Sequence, residues 1–237
     1  DVLNQKVPRE LRAADGSWYG FSVRARPIYY SKARVDARQL PDYESLADPK
    51  WKGGLCVRSG QHVYNTSLIA TMIANKGEAF TETWLKGVKA NLAHKPAGGD
   101  REQARDIASG KCDIALGNTY YMALMMTNEK NPEQKQWAAA IKPLFPNAQD
   151  RGTHINIAGA ALTKHAPNKA NAEKLVEFMG RPEHQAKLPK YVRYGVTAAA
   201  AAPLVDKSLM GELPTNPAIH QQAFAEDPKF WIDNGDK

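Results

Sequence analysis

The amino-acid sequence predicts an α/β fold in which two lobes are joined by crossover strands. Short apolar runs alternate with helical segments between residues 55 and 145, and this alternation is typical of α/β domains. Two longer extended segments, near residues 18–30 and 152–164, bracket that unit. We interpret them as paired strands that cross between the lobes. The 237 residues, of which 43% are hydrophobic, suffice for one large or two small cores.

Charge and composition narrow the classes of partner. The net charge of +7 and the pI of about 9.3 weakly favour anionic partners. The 32 basic residues are scattered without a block of five, so a solvated basic surface is favoured over nucleic-acid binding. No apolar run approaches the roughly 20 residues of a transmembrane helix. The first ten residues lack the apolar region of a signal peptide, as those of a processed or truncated chain also would.

The first extended segment carries two arginines on one face. Apolar and polar residues alternate over residues 21–26, which is the period of a β-strand. Arg24 and Arg26 therefore share a face, where two guanidinium groups could hold a carboxylate, carbonate or phosphate. A solvated edge strand explains the same pattern, and Pro27 argues against a central strand. Both interpretations stay open at this point.

The next strand leads into a helix that opens with a tyrosine. Residues 55–58 form a short apolar strand, residues 59–62 read SGQH and predict a turn, and Tyr64 begins the following helix. His62 is the obvious alternative ligand in this segment. We interpret it as a surface turn residue.

Residues 112–126, CDIALGNTYYMALMM, are the stretch around which the chain is organised. A short strand ends at Gly117, and Asn118 is a good N-cap for the helix that follows. Tyr120 and Tyr121 therefore fall in the first helical turn, at the kind of strand-to-helix turn where open α/β sheets bind ligands. Ordinary amphipathic packing is the alternative explanation for two adjacent tyrosines.

The two tyrosine segments repeat one pattern of strand, small-residue turn and tyrosine at a helix start. Tyr64 and Tyr120 are 56 residues apart in the chain. If the two strands are neighbours, both helix starts face one cleft. Free N–H groups and the positive end of the helix dipole favour an anion there, including a phenolate.

The two cysteines, Cys56 and Cys112, precede these two turns. If the strands are neighbours, a disulfide could close a loop of nearly sixty residues and would indicate an oxidising compartment. Two buried free thiols are the alternative. Neither cysteine has the spacing of a zinc ligand. A Cys56–His62 nucleophile and base is disfavoured because Cys56 lies in an apolar run, and no catalytic motif stands out.

Helices are also predicted near residues 78–92, 100–110, 131–141 and 170–180, with another over residues 181–192. An extended piece is expected near residues 142–147. The alanine run at residues 198–202 is of low complexity, and the tail after it has no clean period.

At this stage the chain resembles a known family. The segments SGQHVYNTSLIATMIANKGE, SGKCDIALGNTYYMA and RGTHINIAGAALTKHAPNKANAEKLVEFM are similar to the periplasmic ferric-ion-binding proteins of the FbpA and FutA type. The resemblance covers about residues 1–185. It implies a type II solute-binding protein of an iron ABC importer, with a two-lobed periplasmic-binding-protein fold that closes on Fe(III).

The resemblance also implies a set of site residues. The metal-ligating tyrosines of that family match Tyr64, Tyr120 and Tyr121. The expected contacts of a synergistic anion, such as carbonate, are Arg24, Arg26, Ser59, Gly60 and Asn118.

Ferric iron suits this donor set on chemical grounds. Fe(III) is a small, hard cation that prefers oxygen donors. A bound metal deprotonates a ligand whose free pKa is about 10. Three phenolates offset the three charges of the ion, and a carbonate held by an arginine could complete the octahedron.

The resemblance further implies how the chain is organised and what it meets. Residues 1–23 would be a remnant of the first lobe and its crossover. Residues 24–155 would form the second lobe, and residues 156–237 the return crossover and remaining helices. The amino-terminal lobe is expected to be incomplete. We expect a monomeric, exported periplasmic protein that meets a membrane ABC permease. The alternative is an enzyme, or a binder of another small anion, on the same scaffold.

Overall fold

A computed structural model describes residues 2–187 and 195–196 of the chain, and the strands in these residues form two sheets. The strands are β1 (Trp18–Ala25), β2 (Ile28–Ser31), β3 (Leu55–Cys56), β4 (Ile114–Leu116), β5 (Ile141–Leu144), β6 (Ile155–Ala161) and β7 (Gly195–Val196). One sheet has the order β6-β1-β7 and the other the order β3-β4-β2-β5.

The helices follow the predicted order along the chain. They are α1 (Val2–Lys6), α2 (Val63–Lys76), α3 (Glu78–Ala90), α4 (Asp100–Ala108), α5 (Thr119–Met126), α6 (Glu133–Ala140), α7 (Lys169–Met179) and α8 (Pro182–Gln185). None of the described helices has the length and apolar character needed to cross a bilayer. The alanine run at residues 198–202 and the tail after it lie outside the described residues.

The two long extended segments pair with each other, as predicted. Strands β1 and β6 are antiparallel, from Trp18 opposite Ala161 to Ala25 opposite Ile155. The edge-strand interpretation of β1 is wrong, because β1 lies between β6 and β7. Pro27 does not interrupt this ladder, since β1 ends before it and the chain enters the other sheet immediately after it.

The four-stranded sheet is covered by helices on both faces. Ile28 and Tyr29 are adjacent in β2 and fully buried, and they point to opposite faces. Ile28 packs in a cluster with residues of α2 and α3, such as Leu68 and Trp84. Tyr29 packs in a second cluster with residues of α4, α5 and α6, including Ile107. The predicted α/β class is therefore confirmed as a layered sheet with helices on both sides.

The parallel pairing of β3 with β4 decides where the tyrosines lie. Leu55 is paired with Ile114, and Cys56 with Ala115. Each strand is followed by a turn and then by the helix that carries a tyrosine at its start. Because the carboxyl ends of parallel strands meet at one edge of a sheet, both helix starts lie at that edge.

The predicted disulfide is present. Cys56 and Cys112 are bonded, and their Cα atoms are 5.9 Å apart. Both side chains are buried, at 0% and 2% exposure. The free-thiol alternative is therefore wrong. The bond joins β3 to the residue that leads into β4, so it ties together the two strands that precede the tyrosine helices.

Tyr43 joins the two crossover segments at the boundary between the sheets. Its hydroxyl donates to the carbonyl of Arg26 at 2.7 Å and accepts from the N–H of His154 at 3.2 Å. The N–H of Arg26 donates to the carbonyl of His154 at 3.0 Å. The His154 ring then reaches α2, where its Nε2 lies 2.8 Å from Ser67 Oγ and its Nδ1 lies 3.0 Å from Thr71 Oγ1. The crossover and helix α2 are thus directly connected.

We expect the disulfide to contribute strongly to stability. It links residues 56 apart in sequence, and the chain-entropy model assigns such a loop about 4 kcal/mol. Replacing Cys56 and Cys112 together by alanine should lower the free energy of unfolding in urea by about this amount. Thiol titration of the denatured, unreduced parent should find no free thiol, and two free thiols would contradict the bridge.

His154 should make the fold sensitive to acid. Its burial, assisted by the charges of Arg26 and Arg24, lowers its pKa to about 3. The unfolded chain therefore takes up the proton near pH 6.5 while the folded chain does not, so stability falls as the pH drops below 6.5. Between pH 6.5 and pH 5 this loss is roughly 2 kcal/mol.

The measurement is urea unfolding of the parent, His154→Gln and His165→Gln between pH 7.5 and pH 5. His165 is exposed, so its variant should keep the pH dependence of the parent. His154→Gln should show a shallower dependence. Equal slopes in the parent and His154→Gln would contradict the assignment.

Candidate functional site

Tyr64 stands at the first turn of α2, and His62 caps that helix. The Nδ1 of His62 accepts from the N–H of Tyr64 at 3.3 Å, and the two rings are 4.4 Å apart. Burial and the charge of Arg58 lower the pKa of His62. This explains why His62 lies in the turn. Its ring nitrogen accepts a hydrogen bond from a backbone N–H of the first helical turn, which has no partner within the helix.

Tyr120 and Tyr121 lie at the start of α5, where close backbone packing sets the turn. A Cβ atom on Gly117 would overlap the ring of Tyr29, so this position needs glycine. The hydroxyl of Tyr29 donates to the carbonyl of Asn118 at 2.6 Å. Asn118 is the N-cap residue, as predicted, although its side chain makes no capping hydrogen bond. The turn is therefore held by the sheet beneath it.

The structure brings the three predicted tyrosines together. The hydroxyl oxygens of Tyr64 and Tyr120 are 3.0 Å apart, which is hydrogen-bond distance. The rings of Tyr120 and Tyr121 are 4.2 Å apart, centroid to centroid. Burial, and hydrogen bonds with Tyr121 and Tyr64, raise the pKa of Tyr120 far above its usual range. Without a metal, the Tyr120 phenol therefore holds its proton at neutral pH.

Arg26 is buried directly behind the tyrosines. Its side chain is 1% exposed and pairs with Asp100, which is 0% exposed, at 3.1 Å. Its guanidinium also donates to Asn65 and Asn118. Protein acceptors thus already engage its Nε, Nη1 and Nη2 atoms. The role of Arg26 as an anion contact stays a prediction.

Of the other predicted anion contacts, Ser59, Gly60 and Asn118 follow β3 and β4 at this edge, whereas Arg24 lies on a strand of the other sheet. Arg24 is partly buried on β1, Ser59 and Gly60 are exposed in the turn before α2, and Asn118 is fully buried. An anion at any of them remains a prediction.

Sequence reasoning missed two arginines that lie over the tyrosine rings. The guanidinium carbon of Arg58 is 5.0 Å from the ring centre of Tyr64, and that of Arg101 is 5.6 Å from the ring centre of Tyr121. Within the part of the chain that is described, the buried Nε atoms of both arginines have no hydrogen-bond partner. Arg58 directly follows the apolar run at residues 55–57, a signal that could have identified it.

Asp100 was also missed. It begins α4, and its two carboxylate oxygens accept from Arg26, Arg58 and the N–H of Asn118. Its neighbours in sequence carry no recognisable motif. Only the packing of α4 against the two tyrosine turns reveals its role.

A second cluster of side chains that can bind metals lies between β3 and α4. The ligand atoms of Cys56, His94 and Asp106 lie within 4.8 Å of one another. The sulfur of Cys56 is bonded to Cys112, so it cannot act as a thiolate ligand. The tyrosine cluster is therefore the stronger candidate for a metal site among the described residues.

The tyrosine edge can supply three phenol oxygens, with cationic groups beside them. Oxygen donors of this kind suit a small, hard cation, and the adjacent guanidinium groups suit an anion bound next to it. The described residues at this edge present no pairing of a nucleophile with a base.

Comparison with known proteins identifies the family. Residues 1–215 match the sequence profile described as "Bacterial extracellular solute-binding protein". The chain belongs to this family. It is therefore a solute-binding protein rather than an enzyme, and the predicted resemblance to the FbpA and FutA type is confirmed by the relatives it matches.

The curated relatives of this solute-binding protein are longer than the chain. It is 42% identical over 204 residues to "Iron uptake protein A1" of Synechocystis sp., a match that covers 86% of the chain and 56% of the relative. It is 29% identical over 177 residues to the "Major ferric iron-binding protein" of Neisseria meningitidis, covering 74% of the chain and 51% of the relative. The chain thus spans about half the length of the curated relatives it matches.

Solved structures confirm the periplasmic-binding-protein fold. The "Bordetella ferric binding protein" aligns with a TM-score of 0.84 and 42% identity, covering 100% of this chain and 73% of that one. A Trichodesmium FutA structure "in complex with iron and citrate ligands" aligns with a TM-score of 0.84 and 35% identity, at the same coverage.

The two glycines that precede the tyrosine helices should differ in their tolerance of a side chain. Gly117→Ala forces a Cβ atom into the Tyr29 ring, so it should destabilise the protein by about 1–3 kcal/mol. Gly60→Ala is the matched control, because a Cβ there meets nothing within 4 Å. Urea unfolding measures both, and equal stability of the two variants would contradict the packing argument.

Proposed function

We propose that this protein binds ferric iron through the phenolates of Tyr64, Tyr120 and Tyr121 and delivers it to an ABC importer. The observation that carries the proposal is the convergence of these tyrosines from two helix starts, with 3.0 Å between the hydroxyl oxygens of Tyr64 and Tyr120. The names of the relatives support it, since two of them are described as iron-uptake and ferric-iron-binding proteins.

The charge balance favours a trivalent ion. Because the pKa of Tyr120 is raised when no metal is bound, this phenol gives up its proton to solvent only when a metal binds the oxygen. Three phenolates carry three negative charges, which Fe(III) neutralises and a divalent ion does not. Iron binding should therefore release protons, and iron should be held less tightly as the pH falls.

A small anion such as carbonate would complete the coordination. The buried Nε atoms of Arg58 and Arg101 beside the tyrosine rings support this part of the proposal. Arg24, Arg26, Ser59, Gly60 and Asn118 are the other proposed contacts. The Trichodesmium relative, whose structure is a complex with iron and citrate, supports a carboxylate as a companion of the metal.

The remaining parts of the proposal concern the cellular setting. The family description, an extracellular solute-binding protein, supports an exported, periplasmic protein. The Cys56–Cys112 disulfide fits an oxidising compartment. A membrane permease as partner and a monomeric state follow from the resemblance to iron-binding relatives.

Replacing any of the three tyrosines by phenylalanine should weaken iron binding strongly. Each of Tyr64→Phe, Tyr120→Phe and Tyr121→Phe removes a charged donor and leaves ring packing nearly intact. We expect a loss of affinity of at least about 100-fold, because the ligand lost is itself bonded to the metal. Competitive transfer of iron to citrate measures the affinity, and thermal melts of the iron-free forms should change little.

Two matched variants serve as controls. Tyr30→Phe alters a partly buried tyrosine of β2 that packs against the core, and His62→Ala removes the cap of α2. Both should keep most of the affinity. A parent protein that stays colourless with ferric citrate would overturn the proposal and favour a binder of a small anion alone. If Tyr64→Phe binds as tightly as the parent, the three-phenolate site is wrong.

A further inference from the structure

We infer that Arg26 is a positioning residue that holds the two tyrosine helix starts at a fixed separation. The inference rests on the proposed function, because the separation matters only if the tyrosines share a ligand. This supporting role is separate from the anion contact proposed above for Arg26 and does not depend on it. Three features of Arg26 support this role: its contacts on each side, its burial and the anchoring of its main chain.

On one side the guanidinium is hydrogen-bonded to the start of α2. Its Nε and Nη2 atoms donate to Asn65 Oδ1 at 3.1 Å and 2.6 Å. The side-chain Nδ2 atom of Asn65 donates in turn to the backbone carbonyls of Arg58 and Ser59, at 3.0 Å and 3.1 Å. Asn65 is adjacent to Tyr64 in the chain, so these bonds fix the turn from which Tyr64 projects.

On the other side the same guanidinium is hydrogen-bonded to the start of α5. Its Nη1 atom donates to Asn118 Oδ1 at 2.8 Å and to Asp100 Oδ2 at 3.1 Å. That carboxylate oxygen also accepts from the N–H of Asn118 at 2.8 Å. Asn118 lies two residues before Tyr120. One planar cation therefore bridges both tyrosine turns.

The main chain of Arg26 is held in place by hydrogen bonds of its own. Its N–H donates to the carbonyl of His154 and its carbonyl accepts from the hydroxyl of Tyr43, at the boundary between the two sheets. The side chain thus extends from the segment between β1 and β2 and contacts the starts of both helices. Arg26 thus ties both helix starts to the crossover, in addition to the direct contact between the hydroxyls of Tyr64 and Tyr120.

Burial makes this arrangement difficult to replace. Arg26 is 1% exposed, and Asp100 and Asn118 are 0% exposed. Polar groups buried to this degree need their partners, since an unpaired one is costly. Lysine keeps the charge of Arg26 but has no planar fork, so it cannot serve Asn65 and Asn118 at the same time.

The experiment compares Arg26→Lys with Arg34→Lys in iron transfer to citrate. Arg34 also pairs with a carboxylate, that of Asp113, but its side chain is 40% exposed and lies outside the tyrosine cluster. Arg26→Lys should weaken iron binding roughly 10- to 100-fold, the range found for residues that orient metal ligands. It should also change the phenolate-to-iron absorption band per bound iron. Arg34→Lys should match the parent in both measurements.

A purely structural role would lower the melting temperature of Arg26→Lys and leave the absorption band of its iron-bound form unchanged, and that result would overturn the inference. Asn65→Ala is the second variant, because it releases the α2 side of the bridge, including the bonds from Asn65 to the carbonyls of Arg58 and Ser59, and keeps the Arg26–Asp100 pair. If Arg26→Lys fails to fold, Asn65→Ala decides. Its affinity and band should move in the same direction, and parent values would overturn the inference.

A metal-free measurement separates this inference from the proposed function. Crystal structures of the metal-free parent and of Asn65→Ala give the distance between the hydroxyl oxygens of Tyr64 and Tyr120. A distance that stays at its parent value overturns the positioning role, even if the parent binds iron. A parent that binds no iron overturns the proposed function, and a longer distance in Asn65→Ala then still supports the bridge.

Discussion

The parallel pairing of β3 with β4 is the constraint on which the rest of the site depends. Parallel neighbours place their carboxyl ends at one edge of the sheet, so the turns that follow them must meet. Residues 56 apart in the chain are thereby brought to hydrogen-bond distance at Tyr64 and Tyr120. The disulfide between Cys56 and Cys112 strengthens this pairing just before the turns diverge into helices. A slip of either strand would separate the tyrosines.

Electrostatics at this edge are arranged in two layers. The outer layer holds the phenols of the tyrosines, with Arg58 and Arg101 over the rings of Tyr64 and Tyr121. The inner layer is the buried pair of Arg26 and Asp100, which holds the helix starts. Asp100 also pairs with Arg58 at 3.2 Å, so one carboxylate faces two guanidinium groups and the cluster keeps an excess of positive charge. A site built in this way favours anionic oxygen ligands at its surface.

The crossover is connected mechanically to this support. Tyr43 bonds to both crossover segments, His154 reaches α2, and Arg26 reaches both α2 and α5. The fold thus places the anchoring of the crossover and the support of the tyrosine helices on the same few side chains.

The sequence by itself determined the local units of this protein. The strand, turn and tyrosine at the start of a helix could be predicted at Tyr64 and Tyr120, because turn residues, caps and apolar periodicity act within a few residues of chain. Only the tertiary structure decided that Arg26 is buried and that Asp100, 74 residues further along, is its partner. A pattern of period two predicts that Arg24 and Arg26 share a face, but β1 ends at Ala25, and what covers each side chain depends on long-range packing. Burial and ion pairing are properties of the whole fold. The pairing of Arg26 with Asp100 therefore could not be predicted from the sequence, because it depends on how the helices pack.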